Sequence, residues 1–182
     1  MKVTATTLPG VLVLEPAVFR DDRGLFFESF NQHAFDEAVG QHVEFVQDNH
    51  SVSQRGVLRG LHYQLPPHAQ GKLVRVVRGS AFDVVVDIRR GSPTFRRWLG
   101  VALDAESQRQ VWIPAGFAHG FMALQDDTVF LYKTTAFYAR ESERSILWRD
   151  PDIAIDWPEL GATPLLAPKD AAALALAQAD LF

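Results

Sequence analysis

The chain has 182 residues, 47% of them apolar, with a formal charge of -4 and no cysteine. That composition fits one packed domain and excludes disulfides and thiolate chemistry outright. Its basic residues are scattered rather than gathered, which argues against a nucleic-acid surface, and no apolar run approaches the roughly 20 residues needed to span a bilayer.

Taken in order, the chain is a series of short β-branched or alternating apolar runs closed by Gly, Pro or Asp. They cover residues 11–14, 25–30, 73–77, 82–88, 98–103, 110–113 and 129–135. After the second run, Asn31 can cap a short helix through Val39, which Gly40 ends. The clearest strand is 82–88, where Phe82, Val84, Val86 and Ile88 alternate with Asp83 and Asp87, so both carboxylates fall on the opposite face. Residues 157–168 read as an ordered surface connection. Asp170 stands where an N-cap would open a C-terminal helix over the Ala/Leu-rich residues 171–181. Many short strands with turn signals between them predict an all-β antiparallel sandwich or barrel. No repeat or linker divides the chain, so residues 1–182 read as a single domain. The N-terminus has neither the charged nor the long apolar region of a leader, and a cytoplasmic location is expected.

Two stretches carry more specific information. Gly56-Val57-Leu58-Arg59-Gly60-Leu61-His62-Tyr63-Gln64 and Pro114-Ala115-Gly116-Phe117-Ala118-His119-Gly120 resemble the two halves of a cupin metal site, and the cupin fold is a jelly roll. Gln64 replaces the second His of the first motif, and Lys72 replaces its Glu. Ala123 stands where an Asn usually follows the second. A divalent metal needs three or more converging N, O or S ligands, and an ammonium opposes it, so no metal is expected. Each His alone would more often be an ordinary core or turn residue. In matched motifs, with a Lys in a ligand's place, the two point to a metal-free site. His, Lys and Arg around one cavity suit proton transfer next to a carbonyl. Neutral imidazole accepts the proton, a cation stabilises the enolate oxygen, and an acid on the opposite side returns the proton.

Further landmarks extend from the N-terminal strand to the chain's end. They are Phe19-Arg20-Asp21-Asp22-Arg23-Gly24, Phe27-Glu28-Ser29-Phe30, Phe45-Val46-Gln47-Asp48-Asn49-His50-Ser51, Gly71-Lys72-Leu73-Val74-Arg75, Phe130-Leu131-Tyr132-Lys133 and Ala167-Pro168-Lys169-Asp170. With these the chain resembles the dTDP-4-dehydrorhamnose 3,5-epimerases, sugar-nucleotide epimerases of the cupin superfamily. The resemblance implies a cofactor-free isomerase acting on a dTDP-linked 4-keto-6-deoxy sugar. His62 would be the base at C3 and C5, Asp170 its paired carboxylate, Tyr132 the opposing acid and Lys72 the partner of the keto oxygen, with His119 nearby. Arg59 would meet the diphosphate and Tyr138 the base. Arg23, Glu28, Gln47, Asp48, Asn49, Glu143 and Lys169 match further substrate contacts. The family also implies a homodimer with an exchanged N-terminal segment, which would let Arg23 and Glu28 act in trans. A relative inverting only C3 or only C5, and a metal-dependent or non-catalytic cupin, are the alternatives.

Overall fold

Short strands carry most of the ordered backbone in a computed structural model that describes residues 1–182. The first five are β1 (Lys2–Ala5), β2 (Leu12–Glu15), β3 (Phe19–Asp21), β4 (Gly24–Phe26) and β5 (Gln47–Ser53). The next four are β6 (Leu58–Gln64), β7 (Lys72–Arg78), β8 (Ser80–Asp87) and β9 (Trp98–Asp104). The last four are β10 (Gln110–Ile113), β11 (Phe117–Ala123), β12 (Thr128–Thr134) and β13 (Glu143–Ser145). They form a six-stranded sheet, β1-β2-β10-β7-β12-β5, and a five-stranded sheet, β13-β6-β11-β8-β9, with β3 and β4 in a separate hairpin. Every strand pairing is antiparallel, as a jelly-roll sandwich requires. No helix is long and apolar enough to cross a membrane.

Three apolar clusters hold the layers together. Between the sheets, Val74, Val76, Val111 and Phe130 from one meet Ala81, Val85, Leu103 and Phe121 from the other. Phe121 and Phe130 stack across the gap with ring centroids 4.0 Å apart. The other face of the five-stranded sheet packs Val84, Val86 and Ile88 under Ile146, Ile153 and Leu176 of the C-terminal region. The alternation of residues 82–88 therefore points its apolar face at the covering segment and Asp83 into the sandwich. On the six-stranded sheet, α1 (Gln32–Val39) docks Phe35 against Trp112, with centroids 5.2 Å apart. This helix begins at Asn31, whose side chain accepts from the Ala34 amide, and ends at left-handed Gly40.

Two expected elements are shorter than their sequence pattern. The run 25–30 is a strand only through Phe26, because its sole partner, β3, is three residues long. The tail over 171–181 is not one helix but α2 (Pro168–Ala171) and a 3-10 turn over Leu176–Gln178. Helix-favouring residues are overridden by tertiary bonds: the Leu147 amide donates to Leu174 O, and the Leu176 amide donates to the Asp150 carboxylate at 2.7 Å.

The pairing of β6 with β11 slips in register between His119 and Phe121, where Gly60 lies against Gly120. A Cβ at Gly60 would sit 2.5 Å from Gly120 Cα, and Gly60 has φ of 134°, which side-chain-bearing residues avoid. Strict alternation would put Arg59 and His62 on opposite faces; the slip lets both line one cavity. Gly60→Ala is expected to cost about 2–3 kcal/mol, measured by urea unfolding. A loss under about 0.5 kcal/mol would mean that the two strands separate freely.

Candidate active site

A cavity of about 340 Å3 opens between the sheets, at the small end of the roughly 300–1,000 Å3 typical of ligand sites. His62 on β6 and His119 on β11 stand opposite each other in the register of the five-stranded sheet. Lys72 on β7 and Tyr132 on β12 enter from the six-stranded sheet. The cavity thus has two chemically distinct walls, one bearing imidazoles and the other an ammonium and a phenol.

His62 Nε2 lies 2.6 Å from Asp170 Oδ1, the imidazole side chain being 24% exposed and the carboxylate 2%. Asp170 Oδ2 also accepts from the Gly60 amide at 3.4 Å. Desolvation pushes the Asp170 carboxyl up, but the hydrogen bond from His62, with that from the Gly60 amide, outweighs it and holds the group below the usual aspartate range. Desolvation also dominates at His62 and lowers its pKa despite the carboxylate. Both shifts favour a neutral ring beside an ionised carboxylate. Because an ionised carboxylate only accepts, Nε2 carries the proton and Nδ1 keeps a free lone pair. Asp170 sits inside α2, whose N-cap position is Ala167, so its side chain serves His62 and caps nothing.

Lys72 Nζ donates to the His62 carbonyl at 3.2 Å and is nearly enclosed. Desolvation lowers its pKa to about 8, opposed chiefly by the charge of Asp83. It is therefore predominantly an ammonium at neutral pH. Asp83 Oδ1 is 2.6 Å from His119 Nε2, which fixes the second imidazole, while Oδ2 is buried without a partner. Tyr132 is half-buried, and loss of solvent raises its phenol pKa, so the hydroxyl keeps its proton.

At the mouth, Tyr138 donates its hydroxyl to Glu143 at 3.0 Å, and the other Glu143 oxygen is 2.7 Å from Lys169 Nζ. Glu143 is thus a central member of the mouth, although its charged sequence surroundings would suit a solvated residue. Arg59 is held by Ser53 Oγ at 3.1 Å and lines the cavity. Gln47 donates to Asn49 Oδ1 at 2.9 Å, and Asn49 Nδ2 is buried and unpaired.

Three expected contacts lie elsewhere. Asp48, between inward-facing Gln47 and Asn49, points to the outer face and pairs with Lys133 at 3.0 Å. Arg23 pairs with Asp21 on the exposed β3–β4 hairpin at 2.6 Å, and Glu28 accepts from Asn31 at 3.2 Å. Neither borders the cavity of its own chain. Asp83, in contrast, holds His119 although no motif marks it. Its signal was a carboxylate on the second face of a strand whose first face is wholly apolar.

A family model described as dTDP-4-dehydrorhamnose 3,5-epimerase matches residues 5–178. A curated protein of that name from Pseudomonas aeruginosa is 61% identical over 182 residues, covering 100% of this chain and 99% of its own. A Legionella pneumophila dTDP-6-deoxy-D-glucose-3,5-epimerase, solved with dTDP-4-keto-L-rhamnose, superposes with a TM-score of 0.94 at 52% identity, covering 98% and 94% of the two chains. A 3'-monoepimerase from Streptomyces bikiniensis, solved with dTDP-quinovose, gives 0.90 at 41% identity over 94% and 86%.

The geometry of the dyad sets an expectation for 15N NMR of the imidazoles. His62 should be the neutral Nε2–H tautomer at pH 7 and should gain its second proton only below the ordinary histidine value of about 6.5. A His62 imidazolium at pH 7 would contradict the desolvated pair.

Proposed function

The chain belongs to the dTDP-4-dehydrorhamnose 3,5-epimerase family, and we propose that His62 and Tyr132 are the base and acid that invert its substrate's stereocentres. It is an isomerase that converts dTDP-4-dehydro-6-deoxy-D-glucose to dTDP-4-dehydro-L-rhamnose. The observation that carries the assignment of roles is the His62–Asp170 pair on one sheet's side of the cavity, with Tyr132 projecting from the other.

Each inversion needs a proton removed from one face of a carbon and returned to the other. The free Nδ1 of His62 takes the proton from C3 or C5, and the C–H electrons form a double bond to C4. The C4 carbonyl electrons move onto oxygen, giving an enolate. Lys72 and His119 face that oxygen in this reading, and a preformed cation in a dry site stabilises it strongly. Asp170 stabilises the imidazolium as it forms and keeps the ring's orientation. Collapse of the enolate draws a proton from Tyr132 to the opposite face of the carbon, leaving tyrosinate. Proton exchange with solvent resets both groups.

The nucleotide extends to the mouth in the same reading. Arg59 and Lys169 supply charge for the diphosphate, Tyr138 an aromatic face for the base, and Gln47, Asn49 and Glu143 polar contacts around them. In this reading the enzyme acts in the cytoplasm in dTDP-L-rhamnose formation, its product destined for cell-surface polysaccharide or for a natural-product sugar.

The N-terminal region supports a homodimer. On the β3–β4 hairpin Phe19 is 65% and Phe26 69% exposed, and the hairpin joins neither large sheet. Such apolar exposure favours burial against a second copy, which brings Arg23 and Glu28 to the neighbour's cavity. Sedimentation equilibrium should return the dimer mass, with Phe26→Ser shifting the protein toward monomer. A monomeric wild type at micromolar concentration would remove this part.

For the chemistry, incubation with dTDP-4-dehydro-6-deoxy-D-glucose in deuterated water should place deuterium at both C3 and C5. His62→Ala should lose exchange at both carbons, about 100-fold or more, whereas Tyr132→Phe should retain exchange while slowing inversion. Folded wild type exchanging at neither carbon would end the assignment. Deuterium at C3 alone would favour a monoepimerase, the reaction named for the Streptomyces bikiniensis relative.

A further inference from the structure

Gln64 stands where the cupin pattern carries a metal-ligating His, and its role follows from what its amide touches. Its Oε1 accepts from the Ala139 amide at 2.8 Å. Its Nε2 donates to the Phe137 carbonyl at 3.2 Å and to the His68 carbonyl at 2.7 Å. The side chain is buried, and its oxygen and both amino hydrogens are engaged by backbone.

The segment it grips is irregular and carries Tyr138, whose side chain is 54% exposed. The Tyr138 amide itself donates to Gln47 Oε1 at 3.0 Å. The preceding Ala136 carbonyl accepts from Gln70 Nε2 at 2.7 Å and from Thr134 Oγ1 at 3.0 Å. Residues 136–139 are therefore held at successive peptide groups by three glutamines and a threonine from different parts of the fold. Gln64 also lies opposite Glu143 in the β6–β13 register, and Glu143 accepts from the Tyr138 hydroxyl. The peptide groups flanking Tyr138 are thus bonded by Gln64, and the residue that accepts its hydroxyl is Gln64's neighbour across the strand pair.

An exposed aromatic on a loose segment would have to be ordered each time a ligand stacked on it, at a cost in affinity. Here the backbone on either side of Tyr138, and its hydroxyl, are hydrogen-bonded without any ligand. We propose that Gln64 is a positioning residue that pre-organises Tyr138 for stacking on the nucleobase, the metal-ligand position of the fold having been converted into an anchor for the nucleotide mouth. The inference rests on the nucleotide reading of that mouth. Gln64 acts on binding rather than on the proton transfers, so its loss separates KM from kcat.

The test is calorimetric titration of dTDP into wild type, Gln64→Met, Tyr138→Ala and the double variant. Gln64→Met should weaken dTDP about three- to tenfold and raise KM similarly, with kcat within about threefold. In the Tyr138→Ala background it should have almost no further effect, because the group it positions is gone. An equal loss in both backgrounds, or no loss in either, would overturn the proposal. Wild type that fails to bind dTDP would overturn the nucleotide reading and this inference together. Amide exchange in the wild type gives a readout that survives misfolding of the variant. The Tyr138 and Ala139 amides should be protected in the free protein, and rapid exchange at both would show that the glutamines do not hold the segment.

Discussion

One hydrogen bond, from His62 to Asp170, joins positions 108 residues apart and sets the protonation pattern of the imidazole on which the proposed chemistry depends. Burial alone would discharge both groups: it disfavours the imidazolium and the carboxylate alike. The short contact between them lets the carboxylate stay ionised while the ring stays neutral. That division fixes which nitrogen holds the proton, and hence which one can take another. It also depends on the backbone, because Gly60 both donates to Asp170 and lets β6 approach β11 closely enough to turn Arg59 and His62 toward the same space.

The cavity places an ammonium, two imidazoles and two buried carboxylates inside a sandwich, an arrangement that does not stabilise a fold by itself. Apolar clusters on three levels supply the compensating burial, between the sheets and on the outer face of each. The polar groups are mostly satisfied in pairs. The exceptions are one oxygen of Asp83 and the amide nitrogen of Asn49, both buried without a partner. Elsewhere a buried carboxylate is fully provided for: Asp87 is ringed by Arg89, Ser92 and Thr94 and takes no part in the cavity.

The strands readable from sequence were those with apolar, largely β-branched or aromatic runs, above all β7, β8, β10 and β12. Such runs reflect burial of both faces or of one. β5 escaped because Gln47–Ser53 is almost wholly polar; it is an edge strand whose inward residues line the site rather than the core. The motifs spanning β6, the start of β7 and β11 identified His62, Lys72 and His119, but Gly60 and Gly120, which permit the close approach of β6 and β11, also erase the strand pattern there. Family resemblance carried over Gln47, Asp48 and Asn49 as a block, whereas a strand's period of two sends the middle residue outward. The Ala/Leu-rich tail looked helical by propensity and is held in short turns by bonds from Leu147 and Asp150 that no local pattern announces. Asp83 and Gln64 were present in the pattern as a strand's second face and as a replaced ligand, yet their partners are set only by tertiary structure.

The catalytic pair is divided between two layers: His62 belongs to the sandwich and Asp170 to the segment laid across it. That segment is fastened by the Leu165 carbonyl to the Leu58 amide and by Leu174 and Leu176 to the chain near residues 147–150. A molecule whose two sheets are intact but whose tail has lifted would lose the Asp170 partner of His62 together with the part of the cavity wall that Ala167 and Lys169 supply. Catalytic competence is therefore a property of the docked tail as much as of the two sheets beneath it.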